Sequence, residues 1–349
     1  MPLPFGRAKG NLMLLRIAAT AIALAGTSLA GALPARADWD AMALLRDVSR
    51  IEKQAKGHLG VALLDLKDRQ RWSHRGGEAF PMQSVFKLPL GIAVLQAVEA
   101  GRFKLDQPIT VKRSDISLFH SPLAKGFKGD TQAYPLRELI RLTIAESDNT
   151  AADLLMRLIG GPQTVTAMLR QGGITGISVD RYERVFQPEI YGMRGFGWDE
   201  VIDEPKFRAE LKALPADKRR LSLATYLRDD PRDKATPDAS ADLLEGLARG
   251  TWLRDPAHAQ WLNRLMVDNA GGKDRIKAGL PAGSAFAHRT GASLTTDGIS
   301  AATNDIGIVT LPDGRAFAIA IYLSGSTASA DAREAAHAAV AKAAVAALK

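Results

Sequence analysis

The 349-residue sequence predicts an α+β fold: an antiparallel five-stranded sheet drawn from both termini, flanked by helices, with an all-helical subdomain inserted between its two halves. Three observations carry this. The run Leu59-Gly-Val-Ala-Leu-Leu-Asp65 is a short apolar stretch of the length of a buried strand. Three more strand-like runs gather at the far end, at 285–293, 304–311 and 316–323, the last two joined by Pro312-Asp-Gly314 as a hairpin. Between these ends, apolar residues recur at intervals of three and four rather than two.

The elements follow in order. Arg7, Lys9 and Arg16 precede an uncharged run from Ile17 to Leu33, and Pro34-Ala-Arg-Ala37 supplies a small-residue cleavage pattern before Asp38. This predicts a signal peptide over residues 1–37, cut after Ala37, and a periplasmic or secreted product. The run is short for a bilayer and rich in Ala, Gly and Thr, which disfavours a retained anchor. Asp40 to Lys56 has helical periodicity, and a second short strand fits near 70–74. A helix beginning near Gln83 runs to about Ala100, where Gly101 stops it. Phe119 to Lys125 reads as a loop and Pro135 to Ile144 as a strongly amphipathic helix, followed by helices at 151–159 and 164–171. From Glu183 to Asp233 the sequence is irregular, with charged helical pieces at 204–214 and 221–227; segments this long are usually functional. Helices at 239–248 and 257–267 complete the middle, and the alanine-rich stretch 330–348 forms a last helix. The expected division is 38–76 with 282–349 as sheet subdomain, and 77–281 as helical subdomain with a long loop at 184–231.

Composition narrows the function. The signal segment carries four of the 46 basic residues and no acidic one, leaving 42 against 38 acidic, too small a surplus to argue for nucleic acid. There is no cysteine, which removes disulfides, thiolate catalysis and lipidation at an N-terminal cysteine together. The six histidines show no metal-ligand spacing, so neither a metal nor another cofactor is expected. The chain is expected to be free of the membrane once the signal is cut, and the family likeness that its motifs carry implies a monomer acting on a small molecule.

Three short motifs carry chemistry. Ser84-Val-Phe-Lys87 places an amine one helical turn from a hydroxyl, the arrangement a weak nucleophile needs if a neighbouring base is to take its proton. Alone, such a pair occurs by chance about once in a chain of this length. Ser147-Asp148-Asn149 sits on the turn before an apolar helix, where it can aim polar groups at a cleft or cap the helix. Arg289-Thr290-Gly291 lies on a strand.

In this order the three motifs resemble those of the class A serine β-lactamases, within the wider fold of penicillin-recognising enzymes. The likeness extends over nearly the whole chain after residue 37, through Ser121-Pro122, Arg232-Asp233 with Thr236-Pro237, Leu280-Pro-Ala-Gly283 and Asn304-Asp-Ile-Gly307. It implies that Ser84 attacks the lactam carbonyl, that Lys87 orients or deprotonates it, and that Ser147 relays a proton to the leaving nitrogen. It further implies an oxyanion hole from the N–H groups of Ser84 and Ala292, a contact from Asn149 to the substrate's side-chain amide, and carboxylate binding by Arg289 and Thr290 with help from Arg275. Glu183 stands where the family's water-activating glutamate is expected, with Glu189 as its rival. A D,D-peptidase or a non-hydrolytic lactam-binding relative shares the serine and lysine but needs no such base.

The chain departs from the family at four places. Arg289 replaces the usual lysine, His120 stands where an aromatic wall residue is common, and Arg184 and Gln187 replace proline and asparagine around the glutamate. The 184–231 segment is also much longer than the family norm, either a lid over the cleft or a peripheral helical flap.

Overall fold

The computed structural model describes residues 39–348, so the expected signal peptide lies outside the described residues. Among these, no helix is long and apolar enough to cross a membrane.

The main sheet has a path of five antiparallel strands in the order Arg71–His74, His58–Asp65, Ala316–Ser326, Ile299–Thr310, Ala285–Ala292, and the two-residue strand Thr295–Thr296 also pairs with Ile299–Thr310. The first and last parts of the chain thus interleave in one sheet. Its side chains alternate between two cores, as the two-residue strand period demands. Leu59, Val61, Leu63, Phe317, Ile319 and Ile321 face the terminal helices Ala41–Ala55 and Ala330–Ala347, while Ala62, Leu64, Ala318, Ala320 and Tyr322 face the helical middle. Both faces are covered, so the central strands read as continuous apolar runs.

Two small sheets escaped the sequence reading. Pro108–Lys112 pairs with Thr131–Pro135, and Phe80–Pro81 pairs with Lys234–Ala235. The second fastens the start of the Ser84 turn to the far end of the long segment. Phe119–Lys125, read as a loop, contains the short helix Pro122–Gly126, capped by Ser121 Oγ.

The segment 184–231 is largely helical, which corrects its reading as a loop. Helix Glu183–Glu189 carries the expected base, and Glu204–Ala213 and Ala216–Arg228 form a helical pair. The pair falls on the helical pieces expected at 204–214 and 221–227, and burial fastens it: Phe186, Ile190, Tyr191, Leu223 and Tyr226 close around Ala301 as a third apolar core. The pair is fastened at two further points. Phe207 packs edge-on against Phe119, 5.8 Å between ring centres, and Glu204 accepts the Phe119 N–H. On the sheet side, Arg219 forks onto Asp297 through Nη2 at 2.7 Å and Nε at 3.1 Å.

Candidate active site

The site forms where three elements meet. Ser84 lies on the 3-10 turn Gln83–Phe86, which continues directly into helix Lys87–Glu99. Gln83 has φ +48°, a conformation that side chains seldom take, so the turn must be held from outside. Asn304 holds it, donating through Nδ2 to Pro81 O at 2.7 Å and Met82 O at 3.0 Å. Gly291, opposite Asn304 in register, completes the clamp: a Cβ there would fall 2.4 Å from Met82 O, so only glycine lets the strand lie this close.

Strand register also disposes the backbone. Ser293 N donates to Ala302 O, which makes 293, 291 and 289 the residues bonded to strand Ile299–Thr310. The Ala292 N–H, between them, points away from that strand. The Ser84 N–H belongs to a first helical turn, where donors lack intrahelical partners.

Lys87 is the hub. Fully buried, its Nζ donates to Ser147 O at 2.8 Å and Asn149 Oδ1 at 2.5 Å, lies 3.1 Å from Ser84 Oγ and 3.4 Å from Ser147 Oγ, and pairs with Glu183 Oε1 at 3.4 Å. Two of its donors are spent on oxygens that can only accept, so the remaining direction faces the serine and the carboxylate. Burial pulls the ammonium down to about 8, with Glu183 opposing and Arg289 reinforcing the shift.

Ser147 and Asn149 reach Lys87 because Asp148 between them does the capping. Asp148 accepts from Ala151 N at 2.8 Å at the start of helix Asn149–Leu158, and also from Leu123 N and Ser121 Oγ. Ser147 is held at φ +60°. Both readings of this motif therefore apply, to different residues. Asn149 Nδ2 donates to Leu118 O, which fixes its amide with the oxygen toward Lys87.

Arg289 is fully buried; its Nε donates to Ser84 O at 3.0 Å and its Nη2 to Ser147 Oγ. Burial lowers this guanidinium to about 10, which leaves it charged at neutral pH. Thr290 follows on the same strand and packs against Gly271 and Gly272. Arg275 is held on the neighbouring strand and the last helix: Nη1 donates to Asn304 O at 2.9 Å and Nε lies 3.4 Å from Glu334. His120 donates from Nε2 to Glu146 O, 2.7 Å away.

Glu183 is 1% exposed. Gln187, one turn on, donates to its Oε2 at 2.7 Å and to Gln83 Oε1 at 3.2 Å, so the two departures from the family pattern beside this glutamate serve different ends. Glu189 faces elsewhere, paired with Arg181 at 2.8 Å. Arg181 also binds Asp233 at 2.6 Å, which closes the neck of the long segment.

Asp153 is the residue that sequence reasoning missed. It sits one turn after Asn149 and receives the Glu183 N–H at 2.6 Å and the Arg184 N–H at 3.1 Å, one on each oxygen, with Ser117 Oγ 2.5 Å away. It therefore caps a helix from another element, since that helix has no side-chain cap of its own. Burial, with Glu183 nearby, raises its carboxyl to about 7 against the opposing hydrogen bonds. The available signal was a lone acid among Ala151, Ala152, Leu154 and Leu155.

Comparison with known proteins points to one family. The family model described as "Beta-lactamase enzyme family" matches residues 43–348. The extended-spectrum β-lactamase PER-1 of Pseudomonas aeruginosa is 31% identical over 281 residues, 80% of this chain and 79% of that protein. Among solved structures, a β-lactamase from Chitinophaga pinensis superposes with a TM-score of 0.70 at 30% identity, covering 86% of this chain and 97% of that one. An ancestral class A β-lactamase reaches 0.70 at 35% identity, with 87% and 100% covered.

Proposed function

Since the chain belongs to the β-lactamase enzyme family, with class A relatives matching most of its length, we propose that it opens the lactam amide of β-lactam antibiotics through an acyl-enzyme on Ser84, released by water that Glu183 activates. The observation that carries the reading is the buried Lys87–Glu183 pair beside the Ser84 hydroxyl.

Acylation begins when Ser84 Oγ attacks the carbonyl and its proton passes to the neutral amine of Lys87. Negative charge then gathers on the carbonyl oxygen between the Ser84 and Ala292 N–H groups. Collapse breaks the C–N bond, and the proton reaches the leaving nitrogen by way of Ser147, which touches both Lys87 and Arg289. Arg289, with Thr290, binds the substrate carboxylate; Arg275 is held on the neighbouring strand. For deacylation Glu183 takes a proton from water, the hydroxide adds to the ester carbonyl, and Ser84 departs with the proton returned. Gln187 fixes one oxygen of that carboxylate, leaving Oε1 for this work. A D,D-peptidase has no use for a carboxylate so placed.

The test is direct. Purified protein mixed with a chromogenic cephalosporin should give sustained turnover, lost by at least about 10³-fold in Ser84→Ala. Unchanged turnover in that variant would refute the nucleophile. Export is proposed from the sequence of residues 1–37, and the mass of protein recovered from the periplasm should correspond to a chain starting at Asp38.

A further inference from the structure

Helix Glu183–Glu189 is too short to hold itself in place. It has seven residues, an internal Pro188 and no cap of its own, and isolated helices of this length are not stable in water. Asp153 secures it from one side. The other side is secured by the first part of the inserted segment, which turns back onto residues 182–185.

Trp198 is the centre of that contact. Its ring lies between two guanidiniums, Arg184 at 4.6 Å and Arg157 at 4.5 Å from the ring centre, with Tyr182 edge-on at 5.2 Å. Arg184, the residue after Glu183, is fully buried and donates to Gly197 O at 2.7 Å, Glu200 O at 3.0 Å and Ser114 O at 2.9 Å. Phe196 N returns a bond to Arg184 O, and Gly195 lies so near Val185 that a Cβ would come within 2.8 Å of its Cα. Two residues flanking the carboxylate, Tyr182 and Arg184, are therefore gripped by one indole.

We propose that Trp198, acting through Arg184 and Tyr182, is a positioning residue for deacylation: the inserted segment braces the Glu183 carboxylate against Lys87 and Gln187. This rests on Glu183 being the base proposed above. Ser84, Lys87 and Arg289 stand on other elements, so the brace bears on the second step; above the Lys87 inflection, where acylation no longer depends on the Glu183 charge, the first step is left alone. Displacement of a catalytic group by 1 Å is enough to slow a step by about 10²-fold.

Trp198 is partly exposed, so its truncation leaves the main cores intact. In Trp198→Ala, kcat and KM should fall together, by about tenfold or more, with kcat/KM held and an acyl adduct visible by mass spectrometry during turnover. Trp198→Phe, which keeps a π face for the guanidiniums, should restore most of kcat. Equal losses in kcat and kcat/KM without adduct would mean a structural role only and overturn the proposal. Should Trp198→Ala not fold, Trp198→Leu serves the same comparison. Glu183→Gln run alongside separates the two claims: if it traps adduct and the Trp198 variants do not, only the brace fails; if it turns over normally, the base assignment fails and the brace with it.

Discussion

At the scale of single residues, the chemistry depends on an amine whose charge is adjustable. Burial disfavours the Lys87 ammonium and Glu183 favours it, and the balance sits near 8. Raising the pH through that value empties the proton from Lys87 and frees a lone pair toward Ser84 Oγ, so acylation should rise with pH and level off above it. Removing the negative charge of Glu183 takes away the group that holds the proton on, so the inflection must move to lower pH. We expect the rate of adduct formation in Glu183→Gln to reach its plateau at lower pH than kcat/KM of the wild type. An inflection that stays in place or moves up would show that Lys87 is not the group titrating. His120 and Arg184 illustrate a different point: each occupies a position where the family pattern differs, yet only Arg184 is built into the surroundings of the base, through its three carbonyl partners.

At the scale of elements, the decisive contact is the approach of strand Ala285–Ala292 to the Ser84 turn. Gly291 and Asn304 make that approach and aim the Ala292 N–H. Gly291→Ala puts a methyl carbon against Met82 O; the strand or the turn must shift, at a cost of about 1–3 kcal/mol. Urea titration should show that loss, and acylation should slow as the N–H pair is pulled out of alignment. A variant of full stability and activity would refute the clamp. Much of this level was legible in the sequence. The central strands are legible as short apolar runs bounded by turn residues, the helix after Ser84 as a long apolar run, and helix Leu136–Ile144 by its amphipathic period. Phe80–Pro81 and Lys234–Ala235 were not legible, because a two-residue pairing has no period to detect. The Glu183 helix was hidden for a related reason: its stability comes from Asp153 and the segment around Trp198, both remote in sequence.

At the scale of the whole molecule, four groups spread from residue 147 to residue 289 converge on the Lys87 amine and the Ser84 hydroxyl. Ser84, Lys87, Ser147, Asn149 and Arg289 were identifiable from their motifs, since short spacings survive translation into geometry. The 184–231 segment was only half legible. Its charged helices showed their pattern, while its docking through Phe207, Arg219 and Tyr226 depends on partners on other elements, which no local window contains. That docking ties the segment to Phe119 on the helical side and Asp297 on the sheet side.

The central claim is that one carboxylate, brought to Lys87 by this fold, releases the ester that Ser84 forms. The most direct measurement is the intact mass of Glu183→Gln, followed over time after mixing with a penicillin. The account predicts one long-lived adduct of the penicillin's mass, mapping to the peptide that contains Ser84, with steady turnover reduced by about 10²-fold or more. Unmodified protein that continues to hydrolyse the drug at the wild-type rate would contradict it.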